Sequence, residues 1–192
     1  MYVVKKLRSI VAFIIFGALS FGVAAQPTNL SIENYNSVTD ERLINPEDHN
    51  WLSYRGTLDG WGYSSLDEIS ASNVSDLEPV WSFSTGVLGG HESPPIVNDG
   101  VMFITTPGNL LYAIDAASGD LLWRYQHDLP ATYIAFHRTN RGVALYGDKV
   151  YMATLDARVI ALDAATGEKV WDKAVQDNSF GYYITMAPLA VD

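Results

Sequence analysis

The chain has 192 residues, 48% of them hydrophobic and 18% charged, with a formal net charge of −10. That length and apolar content suit a folded domain with a real core and exclude a disordered segment. The acidic balance argues against nucleic-acid and anionic-lipid partners. The absence of cysteine excludes disulfides, thiolate metal sites and a cysteine nucleophile.

The first residues read as an export signal. Lys5, Lys6 and Arg8 form a basic head, Ile10 to Val23 an apolar run, and Val23-Ala24-Ala25 the small residues of a cleavage site near Ala25. The run is short for a membrane span of about 20 apolar residues, so residues 1–25 are expected to be removed and no span is expected in the mature chain. The mature protein is therefore expected outside the cytoplasm, in the periplasm. Residues 26–45 are polar and form an irregular leader, packing loosely on the domain that occupies residues 46–192.

The domain contains an internal repeat. Ala113-Ile114-Asp115-Ala116-Ala117-Ser118-Gly119-Asp120-Leu121-Leu122-Trp123 returns, 48 residues on, as Ala161-Leu162-Asp163-Ala164-Ala165-Thr166-Gly167-Glu168-Lys169-Val170-Trp171. Leu77 to Trp81 looks like the degenerate end of an earlier unit. Ala187 to Asp192 looks like the start of a later one. Within a unit the spacing predicts four strands, near 95–97, 101–105, 111–115 and 121–125. Asp99-Gly100 marks a type I′ hairpin, because both residues tolerate positive φ. Four short antiparallel strands in about 40–50 residues is the pattern of a propeller blade. Asp115 and Asp163 suit turn amides, and Trp123 and Trp171 suit burial between blades. None of these four is a catalytic candidate.

The repeat Ala-x-Asp-x-x-x-Gly-x-x-x-Trp resembles the tryptophan-docking motif of the pyrroloquinoline-quinone (PQQ)-dependent alcohol dehydrogenases, of the methanol and ethanol dehydrogenase kind. The resemblance runs from about Trp51 to Asp192. Further segments carry it: Trp51 to Gly56, Ile69 to Leu77, Val80 to Gly86, His91 to Val97, Asn140 to Ala144 and Thr185 to Pro188. It implies an all-β fold, the N-terminal part (about three blades) of an eight-bladed β-propeller. Family members are about three times longer, so the chain is expected to be a fragment with an unpaired last edge and without turnover.

The resemblance carries three cofactor positions onto this chain. Glu92 would accept hydrogen bonds at the edge of PQQ, Arg141 would pair with one of its carboxylates, and Thr185 would contribute a hydroxyl. A planar guanidinium fork suits a carboxylate. Read singly, Glu92 beside two prolines suits a loop cap, Arg141 a turn partner and Thr185 a strand threonine. Together and in this order they suit one flat anion.

The family also implies oxidation of a small alcohol to an aldehyde or ketone, with electrons passed to a cytochrome c or a quinone. Its calcium or lanthanide ion and its catalytic aspartate belong to later blades, so no metal ligand and no catalytic residue is assigned here. Many members place two adjacent cysteines against one face of the cofactor. Here Ile134 to Thr139 stands in their place, leaving Phe136 or His137 to cover that face. The four histidines read as scattered loop residues. Asp59, Asp67, Glu68, Asp99 and Asp148 read as solvent-facing turn residues.

Two other readings remain open: a non-enzymatic scaffold propeller sharing the blade repeat, and a truncated product without function. A scaffold has no reason to hold Glu92, Arg141 and Thr185 in this order. The missing lipobox cysteine counts against the outer-membrane-assembly lipoprotein of that type.

Overall fold

A computed structural model describes residues 32–191, so the export signal lies outside the described residues. Eight strands form two four-stranded antiparallel sheets. The first takes β1 (Ile96–Asn98), β2 (Val101–Thr106), β3 (Leu110–Asp115) and β4 (Leu121–Gln126), in that order. The second takes β5 (Val143–Tyr146), β6 (Lys149–Ala153), β7 (Arg158–Asp163) and β8 (Lys169–Ala174), likewise in order. Each sheet is an up-and-down meander, and every expected strand of the first unit is found to within a residue or two.

The repeat extends to the irregularities. The register slips between Ala113 and Ile114 where β3 meets β4, and between Ala161 and Leu162 where β7 meets β8. Asp99 and Gly100 both take positive φ, 46° and 80°, as a type I′ turn demands. Asp115 accepts hydrogen bonds from the amides of Ala117 and Ser118, and Asp163 from those of Ala165 and Thr166. In each unit the outer tryptophan leans on an aromatic of the second strand: Phe103 with Trp123 at 5.8 Å, Tyr151 with Trp171 at 5.9 Å.

The units meet through the glycine and tryptophan of the repeat. Trp123 is 1% exposed, and its Nε1 donates to the carbonyl of Ala164 in the second sheet at 3.1 Å. Its ring lies flat on Gly167, where a Cβ would approach to 2.6 Å. Trp81 repeats the arrangement one unit earlier. Its Nε1 donates to Ala116 O at 3.1 Å, and its ring covers Gly119 as closely. Glycine is required twice over, because both turns also need positive φ.

Two complete blades are present among the described residues, where about three were expected. The run from Leu77 to Phe83 forms no strand, although Trp81, Phe83 and Thr85 face inward in alternation with exposed neighbours. It is held by side chains instead. Phe83 packs edge-on to Tyr112, whose hydroxyl donates to Thr85 O. A strand needs a neighbour to form its ladder, and this run has none among the described residues. Residues 187–191 likewise pack without forming a strand.

From Ile32 onward the leader is tied down by specific contacts. Ile32 N donates to Ala165 O, Val38 bridges to Gly147, and a short helix α1 (Asp40–Ile44) starts on a Thr39 cap and buries Leu43. Arg42 anchors it. Its guanidinium grips both carboxylate oxygens of Glu47 and reaches Asn98 Oδ1 at 2.9 Å and the carbonyls of Asn36 and Ser37. Asp99 belongs to the same web and accepts from Asn36 and Asn50, so it is a structural hub and not a free turn carboxylate. The Arg42 hydrogen bond pulls Glu47 down from 4.5 to about 2.

Two predictions follow from these contacts. Gly100 and Gly167 share positive φ, but only Gly167 lies under a ring. Thermal denaturation should therefore show Gly100→Ala costing about 1 kcal/mol from strain, and Gly167→Ala about 2 kcal/mol more from the clash with Trp123. Equal losses would show that the docking contact is not stabilising. Separately, a carboxylate lowered on folding stabilises above its ordinary value and loses that contribution as pH falls. Glu47 is 41% exposed, so solvent screens the effect. The stability gap between wild type and Glu47→Gln should be small at pH 7 and close between pH 5 and 2. A gap that widens toward acid would contradict the pairing.

Candidate functional site

Three loops converge beside the two sheets: the approach to β1, the approach to β5, and the segment near 185 that follows β8. Each carries one of the residues singled out above. Arg141 stands between the other two. Its Nη2 lies 2.8 Å from Glu92 Oε2, and its Nη1 donates to Thr185 Oγ1 at 2.6 Å. The backbones lock the same way, with Arg141 N donating to Thr185 O at 2.9 Å. Residues far apart in sequence thus form one acid–guanidinium–hydroxyl cluster.

The cluster is open to solvent on one side. The side chains of Arg141 and Glu92 are 38% and 43% exposed. Two guanidinium nitrogens are engaged, which leaves further N–H donors of the fork for an added group. The exposure means the ion pair contributes little to stability by itself. Its chemical value is a fixed cationic edge flanked by a hydroxyl.

Glycine shapes the junction. Gly142 has φ +114°, and a Cβ there would meet Ser93 Oγ at 3.4 Å, Pro94 Cδ at 3.7 Å and Ala187 Cβ at 3.8 Å. One atom's breadth separates the three loops at that point. Next to Glu92, Gly90 helps line a cavity of about 230 Å³ with Gly89, Pro107, Arg138 and Thr139. Thr139 also lines it, although its Oγ1 is buried and has no hydrogen-bond partner among the described residues.

The aromatic pair offered as a substitute for the cysteines behaves differently at its two positions. Phe136 is 86% exposed and touches Tyr183 at a centroid distance of 6.3 Å. His137 is exposed. Neither is a partner in the Arg141–Glu92 ion pair or the Arg141–Thr185 hydrogen bond.

Sequence reasoning missed one feature near the site. His127, read as a loop histidine, is buried just past β4, with Nε2 at 2.9 and 3.0 Å from the two carboxylate oxygens of Asp156 in the β6–β7 turn. Thr154 Oγ1 donates to the same carboxylate at 2.6 Å. The pair links the sheets across their loops. No motif spacing announces it, because His127 and Asp156 come from different units and different positions of the repeat. Among the described residues no group of three or more His, Asp or Glu is placed to hold a metal ion. No helix among them is long and apolar enough to cross a membrane.

Comparison with known proteins bears on the fold and the family. Residues 51–181 match the PQQ family model described as the glucose/ethanol/alcohol dehydrogenase β-propeller domain. The dehydrogenase subunit of a quinone-type alcohol dehydrogenase from Gluconacetobacter polyoxogenes is 40% identical over 169 residues, 85% of this chain and 22% of that protein. The quinoprotein alcohol dehydrogenase PedH of Pseudomonas putida is 40% identical over 157 residues, 80% of this chain and 26% of that protein. Among solved structures, the quinohemoprotein alcohol dehydrogenase ADHIIG of Pseudomonas putida HK5 superposes with a TM-score of 0.77 at 37% identity, covering 84% of this chain and 24% of that one. A europium-containing methanol dehydrogenase superposes with a TM-score of 0.75 at 35% identity, covering 80% of this chain and 28% of that one. The chain therefore spans about a fifth to a quarter of the relatives it matches. On the extent of these matches, the chain belongs to the PQQ-dependent glucose/ethanol/alcohol dehydrogenase β-propeller family.

Proposed function

We propose that this chain is the N-terminal, cofactor-binding portion of a periplasmic PQQ-dependent dehydrogenase that oxidises small alcohols to aldehydes or ketones. The observation that carries the reading is the Glu92–Arg141–Thr185 cluster, which three separate loops build at one open edge. An acid paired with a guanidinium on the surface needs no such convergence for stability. A flat polycarboxylate does need it, because a guanidinium held by two neighbours presents its remaining donors in one fixed plane.

The residues present fit PQQ in chemistry. Arg141 supplies the cationic fork, Thr185 a hydroxyl, and Glu92 an acceptor that also orients the fork. Arg138 and Thr139 line the adjoining cavity. The chemistry that a bound quinone would supply is acceptance of a hydride, and with it both electrons of the oxidation, from the alcohol carbon. This chain's residues bind and orient, and none of them is assigned to move the substrate proton. The calcium or lanthanide ion that the family implies would be held by later blades, and no group of three or more His, Asp or Glu among the described residues is placed to hold one.

On this reading the electron acceptor of the whole enzyme is a cytochrome c or a quinone. The 192-residue chain alone binds PQQ weakly or not at all and has no turnover, since the aspartate base and metal ligands lie in later blades by family resemblance. The scaffold alternative is less well supported, because it leaves the three-loop cluster without a purpose.

Dye-linked alcohol oxidation by the purified chain with PQQ and calcium should be absent, and robust turnover would overturn the assignment of the chemistry to other blades. An NMR titration with PQQ should show shifts around Arg141. Lysine cannot bridge Glu92 and Thr185 while keeping donors in plane, so Arg141→Lys should weaken binding by about tenfold. Unchanged affinity in that variant would remove Arg141 from the site.

A further inference from the structure

The Arg141 fork sits on an exposed loop, yet the residue before it is among the most buried polar groups of the chain. Asn140 is 1% exposed. Its Oδ1 accepts from Thr105 Oγ1 at 2.9 Å and from Gly142 N at 3.1 Å. Its Nδ2 donates to Ala153 O at 2.8 Å and to Asn109 Oδ1 at 3.3 Å. An amide has two donor hydrogens and two acceptor lone pairs, and here all four are used. The orientation is set by its partners: a flipped amide would aim N–H groups at the Gly142 N–H and its oxygen at the Ala153 carbonyl.

Those partners come from both sheets. Thr105 and Asn109 belong to the end of β2 and the turn after it, while Ala153 ends β6. Gly142 is the residue on the far side of Arg141. Thr105 also reaches the other half of the cluster, because its backbone N–H donates to Ser93 Oγ at 3.1 Å, next to Glu92. One buried pair, Thr105 with Asn140, therefore touches the loop of the acid and the loop of the guanidinium.

We infer that Thr105 and Asn140 form an inter-blade clasp, and that Asn140 is the positioning residue that holds Arg141 against Glu92. Asn140 is buried and does not face the open edge. It acts by pinning both flanks of Arg141, its own side chain on one and Gly142 N on the other. A long side chain on a free loop would sample many rotamers, and each would have to be surrendered on binding a rigid anion. The clasp removes that cost in advance. Its consequence for quinone affinity rests on the function proposed above, whereas its effect on Arg141 does not.

The test uses the full 192-residue chain and the pair Thr105→Val and Thr105→Ser. Valine keeps the shape and loses the hydroxyl donor, and serine keeps the donor. Without quinone, the Nε–Hε NMR signal of Arg141 should be sharp and distinct in wild type and Thr105→Ser. In Thr105→Val it should broaden toward the exposed arginines, with Gly142 amide exchange about tenfold faster. PQQ titrated into the same samples should bind about tenfold more weakly to Thr105→Val and within about twofold of wild type to Thr105→Ser. If Thr105→Val does not fold, Thr105→Ala, which loses the same hydroxyl without placing a methyl against Asn140, is expected to show the same loosening. An Arg141 signal and Gly142 exchange unchanged in the folded variant overturn the clasp. If Arg141 loosens while a measurable PQQ affinity is unaffected, the clasp stands and the quinone assignment fails.

Discussion

The ring of Trp123 crosses from one sheet to the next, lies flat on Gly167 and donates to Ala164 O. Everything else in the arrangement leans on that contact. A four-stranded meander of this size buries too little apolar surface to be stable on its own. Stacking unit on unit supplies the missing burial, and the tryptophan determines how closely and at what angle the units stack. The glycine at the receiving turn is the complementary half: any side chain there would push the ring away. Trp81 on Gly119 shows the same lock one unit earlier, with no ladder to help it.

The relation between neighbouring sheets then decides where the loops go. Each loop that precedes an inner strand is carried to the same end of its sheet, so equivalent loops of successive units are brought side by side. Glu92 and Arg141 occupy such positions in the first two units, and Thr185 precedes the segment that resembles the start of a third. Their contact at 2.8 and 2.6 Å is a consequence of docked blades and not of local sequence. The buried links beneath them, Asn140 with Thr105 and His127 with Asp156, run between sheets for the same reason. Polar groups at that depth must be paired, and the partner available is the neighbouring unit.

The leader has a comparable logic on another edge. Arg42 and Asp99 sew an otherwise polar segment to the β1–β2 hairpin, and Val38 and Leu43 supply its apolar footing. A segment that looks featureless by composition is held by one guanidinium whose donors all find acceptors. Composition alone does not reveal this, because Asn36, Glu47 and Asn98 become partners only when the hairpin folds against them.

By itself the amino-acid sequence determined the local and periodic features: the strands, the type I′ turn at Asp99-Gly100, the aspartate-capped turns, the docking tryptophans and the family. These depend on residues close in sequence or on repetition at a constant spacing, and both can be read along a line. It also pointed to Glu92, Arg141 and Thr185, although only as matches in order. The tertiary structure decided that the three touch, that Trp81 docks without a strand, and that Asn140, Thr105, His127 and Asp156 are buried partners. Asparagine, threonine, histidine and aspartate are common loop residues. Their roles here come from neighbours that chain folding, and not proximity in sequence, brings within hydrogen-bond distance.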